Sequence, residues 1–322
     1  MSYITMKGVS YSYQTYQKKS GLKANLADLI KRHYQSKQVL DNISLSIKQG
    51  EKVGLLGPNG SGKSTIIKLL TGILQTTSGT ISVANNTPDT NNADFLAKIG
   101  VVMGQKSQLN WDLPAADTFK ILKSIYKIKE ADYQKRLSKY LSMFQLEEVV
   151  YVPVRKLSLG ERTKLEVIAA LLHGPELLIL DEPTIGMDIV SQHALHSFIN
   201  EINRLENVTI LLVSHQMADI EAITSHLLVL LDGHITFDGS VHQFIKKAQL
   251  PKPQITITHH TDQSPIIAQE HTQFKTDSMQ TTITDYEDES TITLKLKDIQ
   301  NFQIDNPSLE DSLYELFKKR KE

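Results

Sequence analysis

The chain has 322 residues, 35 lysines and arginines against 36 aspartates and glutamates, a formal net charge of -1, and no cysteine. Such a length holds one large α/β domain with a small appendage; the balanced charge offers no global basic field to nucleic acid, and the lack of cysteine excludes disulfides, thiol catalysis and thiolate metal sites and accords with a reducing compartment. No N-terminal segment has the layout of a signal peptide, and apolar runs such as Leu177–Leu180 and Leu227–Leu231 are far shorter than the roughly 20 residues that cross a bilayer, so the chain is not expected to span a membrane by itself.

Residues 3–9 and 43–48 read as early strands separated by a polar, basic insertion, 14–38. Within it Leu22, Leu26, Leu29, Ile30 and Tyr34 recur at helical spacing. That stripe fits a helix packed on its own core. It equally fits one touching a membrane partner or lipid surface, because Lys18, Lys19, Lys31 and Arg32 accompany it.

The most informative run follows: Gly57-Pro58-Asn59-Gly60-Ser61-Gly62-Lys63-Ser64-Thr65. It lies between the apolar Val53-Gly54-Leu55-Leu56 and the helical Ile66-Ile67-Lys68-Leu69-Leu70, the strand–turn–helix setting that a phosphate-binding P-loop requires. Glycines let successive backbone N–H groups face the phosphates, and the helix N-terminus adds its partial positive charge. Lys63 reaches the terminal phosphates, and Ser64 is placed to ligate Mg²⁺. The chain is expected to bind a nucleoside triphosphate.

Beyond a strand near 80–84 and an Asn-rich loop (85–92), residues 112–146 carry helical periodicity and predict a small helical insertion. From 157 to 240, helices alternate with the apolar runs Leu177–Leu180, Ile210–Val213 and Leu227–Leu231, the pattern of a parallel sheet covered on both faces. Composition shifts at Pro251 and Pro253. Gln254–His259 and Thr291–Lys297 then alternate as half-buried strands do, and the acidic turn Asp285–Ser290 predicts a hairpin. Asn306-Pro307-Ser308 starts a last helix with Leu309, Leu313, Leu316 and Phe317 on one face.

Chemistry beyond the P-loop gathers at three places. Leu177–Leu180 ends in Asp181 and Glu182. Such a pair also occurs as a solvated turn, but with a P-loop in the same sheet Asp181 can hold Mg²⁺ through water and Glu182 can take the proton of a water attacking the γ-phosphate. Leu157-Ser158-Leu159-Gly160-Glu161-Arg162 opens a helix with a Ser158/Glu161 capping box, which is also an anion site. His215, in Val213-Ser214-His215, closes another apolar run.

Five of these motifs, in this order, resemble the nucleotide-binding subunits of ABC transporters over about residues 1–245: the P-loop, Gln105, the signature 157–162, Asp181-Glu182 and His215. Asp188 matches the D-loop, and Tyr13, ahead of Tyr11, matches the aromatic that stacks on adenine. The resemblance implies a P-loop core with a mostly parallel sheet and an antiparallel β subdomain (1–248), a helical subdomain at about 105–158, and a C-terminal α+β accessory domain (249–322). It further implies ATP and Mg²⁺ as ligands, with Gln105 sensing Mg²⁺ and His215 touching the γ-phosphate. Two subunits would pair as a homo- or heterodimer, each ATP lying between one P-loop and the other subunit's Ser158 and Gly160. The pair would be held at the cytoplasmic face of the membrane by a separately encoded permease. The signature has Leu159 and Glu161 where Gly and Gln are commonest, and the wording of residues 101–114 and 182–188 is similar to that of drug- and polysaccharide-efflux ATPases. Trp111, the only tryptophan, either plugs the helical subdomain or forms part of a groove for the permease.

Overall fold

The computed structural model describes residues 2–16, 34–104, 106–247, 254–259, 266–269, 272–277, 280–286, 292–294 and 299–305. The chain divides into two compact units, Met1–Val241 and His242–Glu322.

The first unit opens with a long antiparallel hairpin. β1 (Ser2–Tyr16) and β2 (Tyr34–Lys48) pair from Ser2↔Lys48 out to Tyr16↔Tyr34. The strands expected over 3–9 and 43–48 therefore run on into the polar insertion. Residues 13–15 and 35–37 bury no side chain, so their pairing rests on the backbone ladder, which an apolar-pattern reading does not see. Tyr34, expected on the helical stripe, instead begins β2. The rest of that stripe and Lys18, Lys19, Lys31 and Arg32 lie outside the described residues.

β3 (Lys52–Leu56) feeds the P-loop and α1 (Lys63–Leu70). β4 (Ser78–Val83) pairs with the other edge of β1, giving an antiparallel sheet ordered β2-β1-β4. In the Asn-rich loop the Asn92 side chain accepts from the Phe95 N–H and caps the short α2 (Ala93–Leu96). After β5 (Ile99–Met103) come α3 (Ala115–Ile125) and α4 (Glu130–Phe144), the helical subdomain expected from the periodicity of 112–146. Then α5 (Leu159–Leu171), β6 (Leu177–Asp181), α6 (Ile189–Glu206), β7 (Thr209–Val213), α7 (Met217–Ile223), β8 (His226–Leu231) and β9 (His234–Ser240) alternate.

The strand order of the large sheet is β5-β6-β7-β3-β8-β9, parallel throughout except for the final pair. Every residue from Leu177 to Leu180 and from Ile210 to Val213 is at most 1% exposed. Burying each such aliphatic side chain stabilises the fold by about 1.5–3 kcal/mol, which is why these runs are apolar on both faces. The order has a consequence for chemistry. β6, β7 and β3 are lateral neighbours, so the chain leaving their C-terminal ends places Asp181-Glu182, Ser214-His215 and the P-loop side by side, where open parallel sheets bind ligands.

The second unit opens with α8 (Val241–Lys247), whose first residue closes the first unit. Its described strands β10 (Gln254–His259), β12 (Thr272–Asp277), β13 (Gln280–Tyr286) and β15 (Ile299–Asp305) form an antiparallel sheet ordered β12-β13-β10-β15; β11 (Ile266–Gln269) pairs with β14 (Ile292–Leu294). Among the described residues β13 and β14 belong to different sheets; the acidic turn expected at Asp285–Ser290 lies mostly outside them. Gln254–His259 pairs with β13 on one side and β15 on the other. The helix expected from Asn306 lies outside the described residues.

Candidate functional site

The P-loop is shaped by glycine where nothing else fits. Gly62, the N-cap of α1, has φ 112, and a Cβ there would stand 2.6 Å from Leu40 Cδ2. An L-residue meets both a forbidden backbone and a clash. Around Gly60 no heavy atom lies within 4 Å of a Cβ position, so the middle of the loop is an open cradle. Lys63 Nζ donates to the carbonyls of Gly57 at 2.6 Å and Pro58 at 3.2 Å, which holds the ammonium over that cradle. The Ser61 hydroxyl is 3% exposed and, among the described residues, has no partner. A buried, unpaired donor costs stability until something accepts from it, and a phosphate oxygen fits the need. Ser64, exposed on the first turn of α1, and Asp181 are the oxygen donors suited to Mg²⁺.

Charge is concentrated here. Burial pushes the Lys63 ammonium below its ordinary value, while Glu182 and Asp181 work against that fall. Burial and then Glu182 raise the Asp181 carboxyl, with Lys63 opposing. Glu182 follows the end of β6 with φ 53, a left-handed backbone that costs a non-glycine residue energy and persists only where the surroundings enforce it. Its Oε2 accepts from His215 Nδ1 at 2.8 Å and from the His215 N–H at 3.3 Å. The carboxylate is 19% exposed and the imidazole 55%.

Ser158, Gly160 and Asp188 form a second group. Ser158 Oγ accepts from the Glu161 N–H at 3.2 Å and donates to Glu161 Oε2 at 2.9 Å, while the same oxygen takes the Ser158 N–H at 2.9 Å. The capping box is therefore real. A Cβ on Gly160 would stand 2.4 Å from Ser191 Oγ, so glycine is needed where α5 meets the start of α6. Asp188 caps α6 by accepting from the Ser191 N–H at 2.9 Å; that bond holds its carboxyl below the usual range. Leu159 is 37% exposed and lies beside Gly186. Among the described residues no hydrogen bond or ion pair joins Ser158, Gly160 or Asp188 to the P-loop. Gln105 lies outside the described residues. Tyr13 is exposed, whereas Tyr11 is partly buried against the core.

Some participants are not evident from motif reading. Glu166, 7% exposed inside the apolar run Leu165–Ile168, accepts from the Gln108 N–H at 3.0 Å and the Leu109 N–H at 3.4 Å, and from Ser107 Oγ. It ties the segment after Gln105 to the signature helix. A charge in the middle of a buried helical face was the available signal. Trp111 is 52% exposed with the Arg162 guanidinium 5.5 Å above its ring. The core-plug reading fails: the segment around it is held by polar backbone bonds, with the Trp111 carbonyl accepting from the Arg155 N–H at 3.0 Å, and the indole is left outside.

Residues 40–185 match the family described as ABC transporter. The zinc uptake system ATP-binding protein ZurA of Listeria monocytogenes serovar 1/2a is 33% identical over 220 residues, 66% of this chain and 84% of that protein. The chain belongs to the ABC transporter ATP-binding family. Among its relatives is also the Nod factor export ATP-binding protein I of Ralstonia nicotianae, 31% identical over 67% of each chain. A solved structure titled as the ATP binding subunit of an ABC transporter superposes with a TM-score of 0.63 at 25% identity, covering 76% of this chain and 92% of that one. Membership makes this ABC cassette an ATPase subunit of the transporter class.

Beside the site a groove of about 300 Å³ runs between β5 and the helical subdomain, lined by Val101, Met103, Lys106, Gln108, Tyr126 and His173 among others. His173 stacks on Tyr126 with ring centroids 4.1 Å apart, and its Nε2 lies 3.1 Å from the Ile99 carbonyl. Burial, opposed by that bond and aided by Arg136, lowers its pKa from 6.5 to about 4. The unfolded chain takes up this proton as pH falls below 6.5, and the folded chain only near 4. Stability from this group is thus full above pH 6.5 and is lost as pH falls toward 4, by about 2 kcal/mol at pH 5. His173→Phe keeps a ring on Tyr126, so it is expected to flatten the difference in denaturation free energy between pH 7 and pH 5. An unchanged difference would contradict the assignment.

Proposed function

We propose that this subunit hydrolyses ATP with Glu182 as general base and His215 as its γ-phosphate partner, and that as a dimer it drives a separately encoded membrane permease outward from the cytoplasmic face. The observation that carries the chemistry is the 2.8 Å bond between His215 Nδ1 and Glu182 Oε2, beside Lys63 and Asp181. An ionised carboxylate only accepts, so Nδ1 carries a proton; a γ-phosphate oxygen also only accepts, so contact through Nε2 requires a proton on that nitrogen as well. Glu182 then takes a proton from the attacking water, Lys63 and the loop N–H groups stabilise the phosphates, and Tyr13 offers a face to adenine. Mg²⁺, held by Ser64, Gln105 and Asp181, would neutralise charge on the β- and γ-phosphates.

Dimerisation is supported by a P-loop that, among the described residues, makes no polar contact with Ser158 or Gly160 of its own chain. Docking of a permease is supported by the groove next to Lys106–Gln108 and by the exposed Trp111. The outward direction rests on the LSLGER wording and on residues 182–188. Relatives named for zinc uptake and for Nod factor export are about equally similar, so direction needs its own test. Co-reconstitution with the membrane protein of a neighbouring reading frame, in vesicles with ATP outside, should give ATP-dependent accumulation inside the vesicles. Depletion of a preloaded solute would reverse the direction, and no binding of the subunit to any such protein would remove the permease.

As Trp111 is unique, its fluorescence reports this surface. Acrylamide should quench it readily in the free subunit and poorly once the permease is bound, and Trp111→Ala should leave ATP binding intact while uncoupling hydrolysis from transport. Equal quenching with and without the permease would take Trp111 out of the interface.

A further inference from the structure

Four side chains used by no step above meet beneath the Glu182–His215 pair. Thr184, Ser214 and Asp219 are 0% exposed and His196 is 8%. Asp219 Oδ1 accepts from His196 Nε2 at 2.8 Å; Oδ2 accepts from Ser214 Oγ at 3.0 Å and from Thr184 Oγ1. Ser214 Oγ in turn accepts from the Gln216 N–H at 3.0 Å. Burial alone would raise the Asp219 carboxyl, but the bonds from His196, Thr184 and Ser214 hold it below its ordinary value.

Each donor belongs to a different piece of the catalytic frame. Thr184 is two residues past Glu182, Ser214 immediately precedes His215, and His196 lies two turns along α6, the helix capped by Asp188. A carboxylate in the first turn of α7 needs no distant donor to satisfy a helix N-terminus. Here three donors arrive from three other segments. A buried network that is fully satisfied fixes the relative placement of its members, and Glu182 has the backbone most in need of such fixing, at φ 53.

We infer that Asp219 is a positioning residue for hydrolysis: by gathering Thr184, Ser214 and His196 on one buried carboxylate, it holds the general base, the histidine and the helix behind the D-loop in one register. The inference rests on the reading of Glu182 as base. Displacing a reacting group by about 1 Å costs on the order of 10²-fold in rate, so Asp219→Asn in the full chain should lower kcat by about 10–100-fold. ATP affinity, set at the P-loop, should stay within about twofold.

The discriminating experiment is a double-mutant cycle on single-turnover hydrolysis. If Asp219 acts through Glu182, adding Asp219→Asn to Glu182→Gln should cause almost no further loss, since coupled residues are non-additive. Multiplying losses, an unchanged kcat, or a matched fall in kcat and ATP binding would overturn the proposal. Should Asp219→Asn fold poorly, Thr184→Val removes one donor and is held to the same non-additivity. If Glu182→Gln alone retains full turnover, the base assignment fails, and Asp219→Asn measured by itself still reads whether the network serves catalysis.

Discussion

Glu182→Gln is expected to keep ATP affinity and to cut turnover by roughly 10²–10⁴-fold, the usual worth of positioned acid–base catalysis. The amide is isosteric and its oxygen can still accept from His215 Nδ1, so the pair that now spans 2.8 Å survives while the proton acceptor is lost. The consequence should extend past the rate. Where hydrolysis is what reopens the ATP-bound dimer, the variant should accumulate as a dimer in ATP and revert to monomer in ADP, which size-exclusion chromatography reads directly. Lys63→Ala gives the contrasting phenotype. It removes a charge from the terminal phosphates, so nucleotide binding itself should fall, and no ATP-dependent dimer should form. A Glu182→Gln variant that turns over normally, or one that loses ATP binding as Lys63→Ala does, would place the base elsewhere.

Both variants fall in the part of the candidate site that the sequence proposes most directly. A P-loop is a local object: its glycines, its lysine and its helix start are consecutive, and Gly62 at φ 112 is dictated by residues 57–65 and their neighbour Leu40. Asp181, Glu182 and His215 announced themselves because each ends a fully buried apolar strand. What the strands could not reveal was their order. Only the β6-β7-β3 adjacency turns three separate strand ends into one site. The hub on Asp219 was hidden for the same reason. Thr184, His196, Ser214 and Asp219 are ordinary in their local sequences, and their meaning is a convergence of four segments. Strand length was misjudged where backbone pairing outran the apolar pattern, as in β1 and β2. In residues 254–305 the alternation of Gln254–His259 marks a strand but does not name its neighbours, which are β13 and β15. Trp111 illustrates the remaining gap. An aromatic in a loop is equally compatible with burial and exposure until the loop's own hydrogen bonds, here Trp111 to Arg155, settle which side it faces.

Mixing subunits should test the shared site most severely. Ser158 and Gly160 make no polar contact with the P-loop of their own chain among the described residues, and Gly160 is committed by packing against Ser191. If the signature acts on the partner's ATP, a dimer pairing one Lys63→Ala subunit with one Ser158→Ala subunit has one composite site doubly damaged and the other intact. Were the signature to act within its own chain, every site in that mixture would carry one defect. The parent homodimers have no intact site under either geometry. Each heteromeric dimer then keeps one of its two sites with both groups intact, if the interface is the two-fold one usual for dimers. Single-turnover hydrolysis should therefore rise well above the mean of the two parents, which are expected to be nearly inactive. The gain should vanish when the doubly substituted Lys63→Ala/Ser158→Ala chain replaces both. Activity no higher than the parental mean would show that Ser158 serves its own chain, and it would also remove the reason for the Ser158 hydroxyl, now held by Glu161 at 2.9 Å, to turn outward toward a second subunit.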